Sequence, residues 1–223
     1  MQSRLNKAVK CYERTRLRSR DFVLVSNNCW GLECYETLDR EYNTPFVGLF
    51  IYPADYLKLL ENFEEISSET IEFRDLARYP GVEAAYPIGV IFEDVEIHFM
   101  HYSSAREAEE KWSRRIARME ASITGGAELL FKMCDRDGCR EEDLSAFHQS
   151  TFLRQHKKVS FGVHSVADPD HLCVDVSLSE SGQQVVDGFC LYQKRYQCFD
   201  FAEWVVSGRV KTSMFSRLFA KAD

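Results

Sequence analysis

The sequence predicts an α/β fold of three layers, α/β/α, around a mixed, largely parallel sheet that includes one β-hairpin. Short apolar, β-branched runs (DFVLVS at 21–26, FVGLFIY at 46–52, LLFKMC at 129–134, KVSFGV at 158–163) alternate with stretches of helical periodicity, the order in which parallel strands and crossover helices follow one another. Two further runs, 86–92 and 95–102, are separated only by Glu93-Asp94, the mark of an antiparallel hairpin. Hydrophobic residues make up 45% and charged residues 28% of 223 positions, a balance that supports one large domain over residues 21–206, with a basic arm (1–20) before it and an amphipathic basic tail (207–223) after it.

Taken in order, Asp21–Ser26 is a strand ended by Asn27-Asn28, and Gly31–Tyr42 reads as a helix. Asn43-Thr44-Pro45 breaks the chain before the apolar strand Phe46–Tyr52, and Pro53 opens a helix with Tyr56, Leu59, Leu60 and Phe63 on one face. Ile71–Phe73 is a brief strand ahead of the hairpin. Ser104 with Glu107 forms a capping box, followed by Ala105, Ala108, Trp112, Ile116 and Met119 at helical spacing. Past Gly125-Gly126 come the strand Leu129–Cys134, the helix Arg140–Gln149 with Leu144 and Phe147 inward, and the strand Lys158–Val163. The Asp-, Ser-, His- and Pro-rich segment Ser165–Gly182 reads as an excursion, Gly188–Cys198 as a strand and Phe199–Val206 as a helix.

Net charge is −7, but residues 1–20 carry Arg4, Lys7, Lys10, Arg14, Arg16, Arg18 and Arg20 against Glu13 alone, so the rest of the chain stands at −13. An acidic body excludes broad nucleic-acid binding. The leader (Leu5, Ala8, Val9, Tyr12) and the tail (Val210, Met214, Phe215, Leu218, Phe219) each carry a partial apolar stripe beside basic residues, a pattern that suits an anionic membrane surface or, more plainly, a solvated arm and a helix docked on the core. No apolar run reaches the roughly 18 residues of a membrane span and no signal-peptide core follows Met1, so a cytoplasmic location, peripheral on the inner face of the membrane at most, is expected. The eight cysteines then read as reduced thiols. Cys29/Cys34 and Cys134/Cys139 sit at the outer edge of zinc-ligand spacing without a second tight pair to support them.

Ligands of such sheets bind beyond the carboxyl ends of the strands, which singles out three constellations. Cys29 precedes a helix whose N-terminus favours a thiolate, and with a histidine as base and Asp135 as orienter it forms a conceivable Cys-His-Asp nucleophile; the plainer reading is a small buried thiol between turn and cap. Asp135-Arg136-Asp137-Gly138 has the alternating carboxylates that hold Mg²⁺ or Mn²⁺ against a diphosphate, and equally the chemistry of a turn and helix start. His98 and His101, three apart in a strand, point to opposite faces and do not share one metal. Trp112, Arg114 and Arg115 follow, the arginines suited to phosphate or to an exposed helix face.

The blocks SNNCWGLECYETLDREYNTPFVGLFI (26–51), YPIGVIFEDVEIHFMHYSSAREAEEKWSRRIARM (86–119) and FKMCDRDGC (131–139) together resemble a bacterial family of unknown function often labelled exopolysaccharide biosynthesis protein. The likeness covers roughly residues 20–165. It carries over Asn27, Asn28, Cys29, Trp30, Tyr42, Asn43, Thr44, His98, His101, Tyr102, Trp112, Arg115, Asp135, Arg136, Asp137 and Gly138, and departs where Leu32 replaces a second glycine. The resemblance implies an intracellular α/β/α protein of capsule or lipopolysaccharide assembly. The function expected is a transferase of surface polysaccharide, passing a glycosyl or sugar-phosphate group from a nucleotide-sugar donor. Asp135 and Asp137 would hold the metal, Cys29, His98 and His101 would join them in catalysis, and Asn27, Asn28, Trp30, Tyr42, Asn43, Thr44, Tyr102, Trp112, Arg115 and Arg136 would line the substrate site. The alternatives are a Cys29-dependent acyl transferase or hydrolase, and a non-catalytic scaffold at the membrane surface.

Overall fold

The computed structural model describes residues 2–211; most of the expected tail lies outside the described residues. The N-terminal helix α1 (Gln2–Leu17) precedes strand β1 (Phe22–Ser26), helix α2 (Trp30–Leu38) and helix α3 (Pro53–Glu61). Strands β2 (Glu72–Arg74), β3 (Ile88–Ile91) and β4 (Val95–His98) come next, then helix α4 (Ala105–Thr124), strand β5 (Glu128–Cys134), helix α5 (Glu141–Gln149) and strand β6 (Lys157–Gly162). The chain closes with strands β7 (His171–Cys173), β8 (Ser179–Glu180) and β9 (Gln184–Val185) and helices α6 (Gly188–Lys194) and α7 (Phe201–Ser207).

Four strands in the order β1-β5-β6-β7 form a parallel sheet, with Ser26 opposite Lys132 and Met133 opposite Ser160. The expected hairpin is β3–β4, joined by β2 in a separate antiparallel sheet. Because successive strand side chains alternate between faces, Val23, Val25, Phe131 and Met133 pack against α3, α4 and α5, while Phe22, Leu24, Leu130, Cys134, Val159 and Phe161 pack against α1, α2, α6 and α7. That is the α/β/α layering the alternation predicts.

Two elements differ from expectation. Residues 46–52 do not form a strand although Phe46, Val47, Leu49 and Ile51 are all buried. The Val47 N–H folds back to the Pro45 carbonyl at 2.9 Å and Gly48 takes φ 72°, which breaks any ladder. The segment instead bridges the two sheets: Ile51 N–H donates to the Asn27 carbonyl at 2.9 Å, and Phe50 pairs with His98 of β4. Residues 188–194 are helical where a strand was expected, because Asp187 caps them by accepting the Cys190 N–H at 2.9 Å and Leu191 and Tyr192 face the core. The Ser104 cap is formed as expected, its Oγ accepting the Glu107 N–H at 3.2 Å while the Glu107 carboxylate reaches back to Ser103.

Candidate functional site

The carboxyl ends of β1 and β5 open at the same end of the sheet, and the chain there is built around Asn28. Its Oδ1 accepts from the Trp30 N–H at 3.2 Å and from Lys132 Nζ at 2.9 Å, and its Nδ2 donates to Cys134 Sγ at 3.0 Å. Asn27 extends β1, donating its N–H to the Lys132 carbonyl at 3.4 Å, and its side-chain oxygen lies 3.3 Å from Lys132 Nζ. The start of α6 closes over this turn at Gly188, where a Cβ would come within 2.7 Å of Asn28 Oδ1 and of the Trp30 nitrogen. Only glycine admits so close an approach.

Above the turn is a cleft of about 740 Å³. Asn28 and Cys29 form part of its lining, Arg136 and Asp137 come from the loop after β5, and Glu33, Glu36 and Leu32 from α2; Asp187 and Phe189 from the start of α6, with Phe50, Met100 and His101, complete the wall. Asp137 stands at φ 60° beside Gly138 at φ 79°, a left-handed turn that Asp tolerates better than most residues. Burial pushes its carboxyl above the usual range, against the pull of Arg136 and Lys132. Arg136 is engaged at 2.8 Å with Glu180 and at 2.7 Å with the Val185 carbonyl. Burial acts against the charge of Asp187, but the Cys190 N–H and Arg136 hold its carboxyl below the usual range. With Glu33, Glu36, Asp137 and Asp187 facing one arginine, the cleft is acidic, and Phe50, Phe189, Leu32 and Met100 give it apolar panels.

Of the residues expected at the site, Asn28, Cys29, His101, Arg136 and Asp137 face this cleft. The others do different work. Trp30 is wholly buried among Phe161, Tyr192 and Phe201. Asn43 is spent on the Tyr35 hydroxyl, the Phe22 carbonyl and Ser122. Thr44 accepts the Phe46 N–H within a turn. Trp112 packs against Phe46 and Phe99. Arg115 is buried, donating to the Tyr102 hydroxyl and lying over the Tyr42 ring, so it clasps the fold and does not clamp phosphate. His98 is fully buried beside Phe50, Tyr52 and Tyr86, and burial holds its imidazole down to about 4. His101 lies beyond the end of β4 and is exposed.

Asp135 and Asp137 do not act as a pair. Both Asp135 oxygens accept backbone N–H groups, from Val163 at 2.7 Å and Val185 at 2.8 Å, which ties the loop to the end of β6 and to β9. Of this pair only Asp137 is left to face the cleft, and among the described residues no three His, Cys, Asp or Glu side chains converge as a metal seat. Nor is Cys29 activated. Although it stands at the start of α2, burial outweighs the nearby Lys132 cation and pushes its thiol up to about 11.

Sequence reasoning missed the residue beneath the cleft. Lys132 is fully buried in β5, where its Nζ donates to the two asparagine side-chain oxygens and stands 6.0 Å from the Trp30 ring. Burial pulls its amine below the usual lysine range, against the Cys134 thiol and the Asp137 and Asp135 carboxylates. The signal was present: one lysine in the otherwise apolar run LLFKMC is a buried charge wherever that run is an interior strand. Asp187 and Phe189 were hidden by reading 188–198 as a strand.

A family described as a domain of unknown function (DUF1919) matches residues 1–205. An uncharacterized protein of Haemophilus influenzae (strain ATCC 51907 / DSM 11121 / KW20 / Rd) is 33% identical over 193 residues, spanning 85% of this chain and 86% of that protein.

Proposed function

The chain belongs to the DUF1919 family, and from that premise we propose that the cleft is the sugar-binding active site of a transferase in surface-polysaccharide assembly. The single observation that supports it best is the lining. Carboxylates and the Asn28 amide face apolar and aromatic panels across one cleft at the strand ends, and a pyranose ring presents hydroxyl donors on its rim and C–H groups on its faces. An acidic cleft with its one arginine already engaged favours a polyhydroxylated ligand over a bare phosphate. The polysaccharide context rests on the resemblance carried by the SNNCWG, EIHFMHY and CDRDGC blocks.

In this reading Asp137 is the general base. It takes the proton of an acceptor hydroxyl as that oxygen bonds to the anomeric carbon and the bond from that carbon to the donor's leaving group breaks, the electron pair departing with the leaving group. A carboxyl raised by burial is matched to that task. Isothermal titration of the full chain with nucleotide sugars and free monosaccharides, with and without Mn²⁺, tests the binding. Turnover of the donor that binds is expected to fall about 10²–10⁴-fold in Asp137→Asn, a change that keeps the left-handed turn. Absence of any sugar binding by the wild type, or full turnover by Asp137→Asn, overturns the reading.

A further inference from the structure

Four basic residues of the leader lie along one side of α1 and the turn that follows it. Lys7, Lys10, Arg14 and Arg18 follow at spacings of three, four and four residues, one stripe of a helix, and all four are exposed while Val9, Glu13 and Leu17 face inward. Glu13, the only acid in this stretch, is buried and paired through both oxygens with the buried Arg195, so it does not offset the stripe. The second basic segment arrives at the same place. Arg16 meets Glu203 at 2.6 Å and Lys211 meets the same carboxylate at 3.6 Å, while Asp200 accepts from Tyr12 and donates its N–H to the Lys211 carbonyl. Exposed Arg209 and Lys211 therefore flank α1, with Asp39, Glu33, Asp200 and Glu203 as acids at its margin.

We propose that this face docks on an anionic lipid bilayer. From Lys7 to Arg18 the stripe runs about 17 Å along the helix axis, and its long Lys and Arg stems can lie along the headgroups. Val9 and Leu17 of α1 are buried in the core and Leu5 is half-buried, which leaves too little exposed apolar surface for insertion, so the contact is electrostatic and peripheral. The rest of the chain carries a net −13, so an anionic surface attracts this face over the others and biases the orientation. Lipid is favoured over nucleic acid because the stripe carries no aromatic platform; Tyr12 is turned toward Asp200.

Sedimentation of the full chain with vesicles of phosphatidylcholine mixed with phosphatidylglycerol, against phosphatidylcholine alone, tests this. Binding is expected only with the anionic lipid and is lost as salt is raised. Lys7→Gln, Lys10→Gln and Arg18→Gln together are expected to weaken it about a hundredfold, roughly fivefold for each cation. Arg74→Gln, Arg106→Gln and Arg114→Gln, the same charge change at exposed positions elsewhere, are expected to leave it within about twofold. No binding to anionic vesicles, equal binding to neutral ones, equal loss in both triple variants, or tighter anisotropy-detected binding to a DNA or RNA oligonucleotide overturns the proposal. None of these outcomes depends on whether the cleft binds sugar.

Discussion

Lys132 places its amine in the buried interior of the sheet, and two asparagine oxygens accept from it there. Replacing a buried ion by an apolar side chain of like volume is often neutral for stability, whereas the released asparagines lose the donor that fixes them. Lys132→Met is therefore expected to change unfolding free energy by less than about 2 kcal/mol yet to weaken ligand binding about tenfold, since Asn28 lines the cleft and Lys132 does not. Denaturant unfolding and titration, run on the same variant, separate the two effects; unchanged affinity shows that Lys132 positions nothing. At Cys29 the expectation concerns rate. A thiol held up to about 11 is almost entirely protonated at neutral pH, so iodoacetamide followed by mass spectrometry should label Cys29 more slowly than the exposed Cys11 and Cys173. Faster labelling at Cys29 would restore the nucleophile reading.

Most elements whose cause is local were legible, the Asp187-capped helix α6 excepted, and elements whose cause is distant were not. The α4 cap needs only Ser104 and Glu107, and it formed where the sequence placed it. Ser104→Ala is expected to cost about 1 kcal/mol, read as a lower urea midpoint with unchanged slope. Gly89 in β3 shows the opposite case. A Cβ there would stand 2.4 Å from Ile71 Cδ1 and 2.8 Å from Phe99 Cε2, so Gly89→Ala is expected to destabilise by roughly 1–3 kcal/mol through overpacking, although the sequence shows only a glycine in an apolar run. Residues 46–52 have a strand's composition, but their hydrogen bonds are divided between two sheets, an arrangement no window of sequence contains. Positions of the site followed the same division. The strand-end turn at 26–31 was legible, while Asp137 was separated from Asp135 by backbone N–H groups of Val163 and Val185, far along the chain.

At the scale of the whole molecule, stability should depend on pH through buried histidines. Burial holds His148, like His98, down to about 4. His148 Nε2 meets Ser160 Oγ at 2.6 Å, and its Nδ1 lies 3.0 Å from Asp168 Oδ1 but out of hydrogen-bonding alignment. An unfolded imidazole protonates near 6.5, so between there and about 4 the unfolded chain binds the extra proton. The contribution is complete above 6.5 and is lost as pH falls to 4, roughly 3 kcal/mol for each histidine. Asp55, Asp137 and Asp170, raised by burial, act in the opposite sense, so the clean test is a difference: His148→Gln should show a shallower fall of unfolding free energy over that window than the wild type. Equal slopes would remove His148 from the account. The Glu13–Arg195 pair sets a different kind of condition. Its partners are 182 positions apart, so a ribosome releases the carboxylate long before the guanidinium exists. Until α6 and the turn after it emerge, α1 lacks the buried arginine that pairs with its inward carboxylate, and the outer layer it shares with α2, α6 and α7 stays incomplete. The first helix to be synthesised is in this sense among the last to be secured, and a chain cut short before Arg195 would carry its opening segment undocked.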